Sequence, residues 1–494
     1  MSTLYHPRFS VDLILATLPL LDQRTALTVS AANRELRVHA RYALLQRPVT
    51  LSSDRAIVSF NAFIRQNDTF IPEVVQLKSL DITLSTKFST DHYKRLKDTL
   101  EALTGLQSLT LRNLEVVLAH NYSFRRVLEG LKRLDVLTLE SVGPTAVKFL
   151  RDSRTTARTV RILDPIWRFP ADALATFACE ALAAPSCHVP PAPDPPHLDA
   201  SPVLPALRRL HVPQFFLEPG VGHRAGFMHL APSLRELDVG TAYSESAARG
   251  RGWTAELAAQ RTENKRATAQ FQLDVERGRR AKAWTKLDVV RGGLVDLLVF
   301  GNSTCIDALE IVGEPIADPA LQRLVPYVVF DHEPRVLRFS LGGPRFDMRG
   351  FERQQAWMET VQTLYVRVVV TTRCELAWVD CQNALANLAF CCTNCQALCF
   401  ELVPADADAA VREFLAEQDR SLVASEVVRR TANVHFVCVS TPLGPAYWRV
   451  GGGLGQLSVL EEPQMEEGEG RRIMTDWNMF SEAYPLDDQS AQAA

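Results

Sequence analysis

The sequence predicts an α/β protein: a short N-terminal module of three helices, then a long α/β solenoid of stacked strand-and-return units. Three observations carry this prediction. An apolar pattern recurs along the chain, its copies are spaced near 28 residues, and the first fifty residues lack it and read as helix instead.

The recurring pattern is apolar, two variable residues, apolar, one variable residue, apolar. It occurs as LKSLDI (Leu77, Leu80, Ile82), LQSLTL (Leu106, Leu109, Leu111), LDVLTL (Leu134, Leu137, Leu139), LRRLHV (Leu207, Leu210, Val212) and LRELDV (Leu234, Leu237, Val239). It returns as IDALEI (Ile306, Leu309, Ile311), around Leu337 and Phe339, and as VQTLYV (Val361, Leu364, Val366). Successive middle positions inside these groups lie 29, 28, 27, 28 and 27 residues apart. A strand has period two, so the last two apolar positions of each unit share a face, and the variable residue between them faces the other way. The returning chain fits in the remainder, and stacking buries an apolar face that no unit could bury alone. A set of unrelated apolar strands in an α/β domain would give the same local pattern.

The stretch CCTNCQALCF, residues 391–400, holds four of the ten cysteines. The pair Cys392 and Cys395, with Cys391 and Cys399 beside it, has spacing that tetrahedral zinc uses. Cys395, Leu398 and Phe400 also fit the apolar pattern, and VHFVCV (Val434, Val437, Val439) follows as the next unit. Neither a second Cys-x-x-Cys nor a histidine pair lies nearby. Cys374 and Cys381 could complete a ligand set only with unfamiliar spacing, so the reading adopted is a reduced, buried cluster with no metal and no cofactor.

Two stretches interrupt the repeats. Residues 184–205 are proline-rich and read as an extended inserted loop. Residues 244–284 are charged and alanine-rich, and predict a helix with one weak apolar stripe (Leu257, Phe271, Val275) lying on the outside of the array. Its basic residues are either a partner site or a solvated face. The repeats run over 51–460, and 461–494 is acidic, small-residue rich and partly disordered by composition.

Residues 1–50 differ from the rest. Val11, Ile14, Leu15 and Leu18 recur at helical spacing up to Pro19. Asp22 can cap a second helix carrying Ala26, Leu27 and Val29, and Asn33 a third carrying Leu36, Val38, Ala40, Leu44 and Leu45. Helices this short enclose no core alone, so part of their apolar surface needs a partner, either the repeats or another protein.

With that order of parts, the chain resembles an F-box protein of fungal type with a degenerate leucine-rich-repeat-like C-terminal domain. Pro7 matches the family's proline position, Val11, Ile14, Leu15 and Leu18 its first-helix apolar positions, Asp22 the turn, Leu27 and Val29 the second helix, and Arg34 and Leu36 the third. YALLQRPVTL, AIVSFNAFIRQN and LKSLDITL follow as in such proteins. The chain departs from the pattern at His6, Phe9, Ala31 and Asn33, and the asparagine of the longer leucine-rich motif is mostly absent.

The resemblance implies a substrate-recognition subunit of a cullin-RING, SCF-type ubiquitin ligase. Pro7, Val11, Ile14, Leu18, Leu27 and Leu36 would contact a Skp-family adaptor, leaving Val11, Ile14 and Leu18 partly exposed in the isolated chain. The variable strand positions Asp81, Thr110, Thr138, His211, Asp238, Glu310, Arg338 and Tyr365 would read a protein substrate. The alternative is a non-catalytic repeat scaffold with no ubiquitin connection, its helices capping the array and burying those residues against the repeat near Leu80.

Composition narrows the function classes. A net charge of -3 gives no electrostatic drive toward nucleic acid or an anionic membrane. No apolar tract approaches the roughly 20 residues of a membrane helix, and the N-terminus lacks a signal-peptide pattern, so the expected location is intracellular, cytoplasmic or nuclear. Ten cysteines in 494 residues are then thiols. No GxSxG, GxxxxGK[ST] or HExxH motif occurs, GGGLG at 451–455 lacks phosphate-loop spacing, and the adjacent Asp331, His332 and Glu333 read as a loop cluster. No enzyme is predicted.

Overall fold

The computed structural model describes residues 17–32, 34–66, 69–71, 75–85, 90–120, 124–125, 134–153, 156–166, 169–175, 177, 179–184, 186–188, 204–215, 223–241, 253–278, 284, 286–301, 305–342, 359–371, 375–405, 408–431, 433–451, 459–460, 465–477 and 479. The protein is mixed α/β with a large, mostly parallel sheet. It divides into two compact units, Met1–Pro190 with Ala200–Val212, and Pro191–Asp199 with Pro213–Ala494.

In the first unit, the Gln23–Ala32 and Arg34–Leu45 helices pack on each other, preceded by a short 3-10 turn at Leu18–Leu20. Asp22 caps the first of these helices, accepting from the Thr25 backbone N–H at 3.0 Å as its position predicts. Leu18, Ala40 and Ala43 form a small core with Leu21 and Val29 against it.

Parallel strands follow: Val49–Leu51, Ser79–Thr83, Ser108–Arg112, Leu134–Glu140, Ala157–Leu163 and Ala181–Ala183, with Arg209–Phe215 pairing by its first residues. Their register aligns the middle apolar positions in one row: Leu80, Leu109, Leu137, Val160, Leu182 and Leu210. None of the six is more than 4% exposed. A slip of one residue would turn that whole row outward, which is why the register is uniform. Between strands the chain returns through helices at Thr90–Ala102, Leu114–His120 and Pro144–Asp152.

The second unit repeats the arrangement in strands Glu236–Thr241, Lys286–Gly292, Cys305–Ile311, Val336–Gly342, Thr363–Val370, Ala397–Pro404 and Phe436–Thr441. Its buried row is Leu237, Val290, Leu309, Leu337, Leu364, Leu398 and Val437. Return helices include Leu294–Phe300, Val325–His332, Glu375–Cys391, Ala409–Glu417 and Arg420–Arg429. The Gly444–Gly451 strand then turns back antiparallel, covering the last parallel strand.

Three strands lie in gaps of the sequence pattern. Ala157–Leu163 carries it as Ala157, Val160, Ile162; Ala181–Ala183 as Cys179, Leu182, Ala184; and Lys286–Gly292 as Leu287, Val290, Gly292. Alanine, cysteine and glycine stand in for large apolar residues there.

The predicted outer helix is Trp253–Glu276, touching the His223–Leu230 and Leu294–Phe300 helices. Leu257 and Phe271 are buried as predicted, yet Asn264, Thr268 and Asp274 are buried too, so the docking face is half polar. Arg261 and Lys265 both bind the fully buried Asp331 carboxylate, so these two cations hold the helix in place. Within the segment read as an acidic tail, Glu467–Asp476 is a helix that packs into the second unit. Gly470 lies so close to the Tyr447 ring that any Cβ there would overlap it. Among the described residues, no helix is long and apolar enough to cross a membrane.

Candidate functional site

The variable residue between the last two apolar positions of each strand falls in a second in-register row. In the first unit the row reads Thr50, Asp81, Thr110, Thr138, Arg161, Ala183 and His211. In the second it reads Asp238, Arg291, Glu310, Arg338, Tyr365, Cys399 and Cys438, closed by Tyr447 of the antiparallel strand. The eight predicted recognition positions therefore share rows, four in each unit. Arg161 and Arg291 belong to the same rows and escaped the sequence reading because alanine and glycine blur their strands' apolar signal.

Beside the first unit's row, Arg112, two residues beyond Thr110 on the same strand, bridges two carboxylates. Its Nε and Nη2 donate to Asp81 at 3.1 and 2.9 Å, and Nη1 to Glu140 at 3.0 Å. Hydrogen bonding to Asp81 raises the guanidinium pKa further, so the group is permanently charged. Thr138 is buried, and burial alone lowers the Arg161 pKa.

On the second unit's row the charges alternate. Glu310 accepts from Arg291 Nε at 2.7 Å, with Arg338 Nη1 at 3.6 Å. The Arg338 side chain is only 6% exposed, and this burial is what lowers its pKa, with the Glu310 charge opposing. One strand further, Tyr365 Oη donates to Glu401 Oε2 at 2.5 Å, and Arg367 Nε lies 3.6 Å from the same carboxylate. Burial first, then the bond to Glu401, pushes the Tyr365 hydroxyl pKa up, so it stays a donor.

All of these side chains except Arg291 line one side of a cavity of about 690 Å³, within the range of ligand clefts. The opposite wall is the C-terminal helix, which contributes Arg471, Met474 and Thr475, with Met479 just beyond it. Guanidinium donors, carboxylate acceptors and hydroxyls thus meet a wall that mixes two methionines with Arg471 and Thr475. Nothing in the sequence spacing linked residues 471–479 to this face.

The N-terminal positions fare differently. Leu18 and Leu36 are 2% and 7% exposed, Leu18 in the module's own core, so the expectation that Leu18 stays partly exposed is corrected. Its neighbours there are Ala40 and Ala43, not the repeat around Leu80. Leu27 is in the second helix, its side chain outside the described residues, as are Pro7, Val11, Ile14 and Asn33. Among the described residues of the module, the large apolar side chains that face outward are Leu20, at 84% exposed, Val38 and Tyr42. Val38 and Tyr42 are four residues apart on one helix and share a face.

Cys391, Cys392, Cys395 and Cys399 are all buried. Cys392 Sγ donates to Leu388 O at 3.3 Å and Cys395 Sγ to Ala397 O at 3.2 Å; burial pushes the Cys395 thiol up to about 12. Cys399 points to the other face of the sheet and packs with Cys438. Among the described residues, no group of three or more His, Cys, Asp or Glu side chains is placed to hold a metal ion. The Asp331, His332, Glu333 triplet ends the Val325–His332 helix instead of forming a loop, and its first two side chains are buried. Residues 452–455 of the glycine stretch lie outside the described residues.

No known family model matches this chain, and no curated protein matches it.

Proposed function

We propose that this chain is a non-catalytic recognition subunit of a cullin-RING, SCF-type ubiquitin ligase, its N-terminal helices an F-box-like module and its strands a leucine-rich-repeat-like solenoid. The observation that carries the reading is the in-register variable row of the second unit, with chemically diverse side chains on a cleft whose facing wall adds two methionines beside Arg471 and Thr475. Such a surface suits recognition of a protein segment, because polar groups set specificity while apolar contacts supply affinity. The helical module supports the adaptor half of the reading by leaving Leu20, Val38 and Tyr42 outward. These three, in place of the internal Leu18 and Leu36, are the anchors for a Skp-family adaptor.

The test is a purified-component binding assay between the full chain and a Skp-family adaptor, beside the variant Val38→Asp with Tyr42→Asp. Saturable binding by the parent, lost in a variant with unchanged circular dichroism, is the expected result. A folded parent chain that does not bind removes the ubiquitin reading. The scaffold reading would then stand, with Leu18 packed in the module's own small core on Ala40 and Ala43.

A further inference from the structure

The floor of the cleft has a chemistry that recognition does not require. Cys399 and Cys438 are register partners on adjacent parallel strands and point to the same face. Both cysteines belong to one buried side-chain cluster, each 1% exposed. Met474 and Met479 are 4% and 0% exposed in the same side-chain cluster, and Met465 flanks it. Three of the seven methionines of the chain thus gather over two cysteines.

The methionines arrive by a specific local arrangement. The helix ends after Asp476, and the Met479 N–H donates to the Met474 carbonyl at 2.8 Å. That wide turn puts two side chains five residues apart over the same sheet positions. Gly470, flat against Tyr447, lets the helix approach closely enough for them to reach the floor.

We propose that Cys399, Cys438, Met474 and Met479 form a binding site for copper(I). All four sulfur side chains line the one cleft. Thiolate and thioether together are soft donors, and softness selects monovalent copper over the harder divalent ions. Zinc takes thiolate, imidazole and carboxylate, and thioether is not among its usual ligands. Ser440, Thr475 and Arg367 line the same cleft beside the four sulfurs. The competing explanation is packing alone, because methionine and cysteine also fill irregular cores. The two explanations separate experimentally, since leucine replaces methionine in packing but not in coordination.

The full chain, reduced and handled without oxygen, is titrated with copper(I) against the chelator bathocuproine disulfonate, following sulfur-to-copper absorption and bound metal per chain. Silver(I), which does not change oxidation state, is titrated in parallel. The parent is expected to hold one ion per chain against the chelator. Met474→Leu with Met479→Leu, a volume-conserving pair, is expected to weaken retention by at least about tenfold, the lower end of what even an outer-shell partner commands. Cys438→Ser is expected to do the same, and Cys392→Ser with Cys395→Ser to leave it unchanged. Equal retention by parent and leucine pair, or loss that follows Cys392 and Cys395 instead, overturns the site. Circular dichroism of each variant separates lost coordination from lost folding, and no adaptor or ubiquitin component enters the assay.

Discussion

His332 is fully buried, and its ring geometry dictates its charge. Nδ1 lies 2.8 Å from the Val328 carbonyl, an acceptor only, so Nδ1 carries the proton. Nε2 is buried with no hydrogen-bond partner among the described residues, and protonating it would place a charge there without an acceptor. Burial therefore depresses the pKa from 6.5 to about 4; the Val328 bond and Asp331 pull it upward, while Arg224 and Lys265 push it further down. The unfolded imidazole takes its proton near its ordinary value, so below that pH the unfolded state binds more protons than the folded one. This contribution to stability is full above the unfolded pKa and is lost as pH falls toward the folded one, by up to about 1.4 kcal/mol per pH unit. We predict that urea midpoints of the parent fall between about pH 7 and about pH 5 more steeply than those of His332→Gln. Parallel slopes for the two proteins would show that His332 is not the titrating group.

At the scale of elements, the Pro144–Asp152 helix begins at Gly143, which has no side chain to cap it. Glu115, from a different return helix, supplies the cap: its carboxylate accepts from the Gly143, Thr145 and Ala146 N–H groups at 3.1, 2.9 and 2.8 Å. It satisfies three orphan donors and places an anion at the positive end of the helix. Glu115→Ala is predicted to cost about 1–2 kcal/mol, the upper part of the capping range, read from chemical denaturation; a loss below about 0.5 kcal/mol would mean that water replaces the carboxylate fully. Such a cap is illegible in sequence, because Glu115 and Gly143 belong to successive return segments. What sequence does display is periodicity over a few residues. Leu80, Leu109 and Leu137 announce their strands, whereas Val160, Leu182 and Val290 are hidden by alanine, cysteine and glycine neighbours at positions where the buried row needs only small volume. The same limit hid half the cleft. Arg338 and Tyr365 follow from strand alternation, but Met474 and Met479 meet them only through the path of the chain after Gly451. The Asp331 pairing with Arg261 and Lys265 likewise joins residues about seventy positions apart.

For the molecule as a whole, the uniform register decides which parts depend on one another. Every strand of the second unit from Lys286 to Gly451 is hydrogen-bonded to a neighbour inside that range, and its buried row is complete by Val437. The C-terminal helix adds no strand to that row. It covers Cys399, Cys438 and Tyr447 on the variable face through Met474 and Met479, reinforced at its edge by Arg449 with Glu469 at 2.6 Å. That edge pair is solvent-exposed on both sides and holds the helix only weakly. A chain ending at residue 464 is therefore predicted to keep the far-ultraviolet dichroism of the sheet while Cys399 and Cys438 become reactive to a thiol reagent, two more per chain than in the parent. Loss of the sheet signal would show instead that the variable face cannot remain folded uncovered, since the apolar floor under the two methionines would then contribute to the core that holds the strands together.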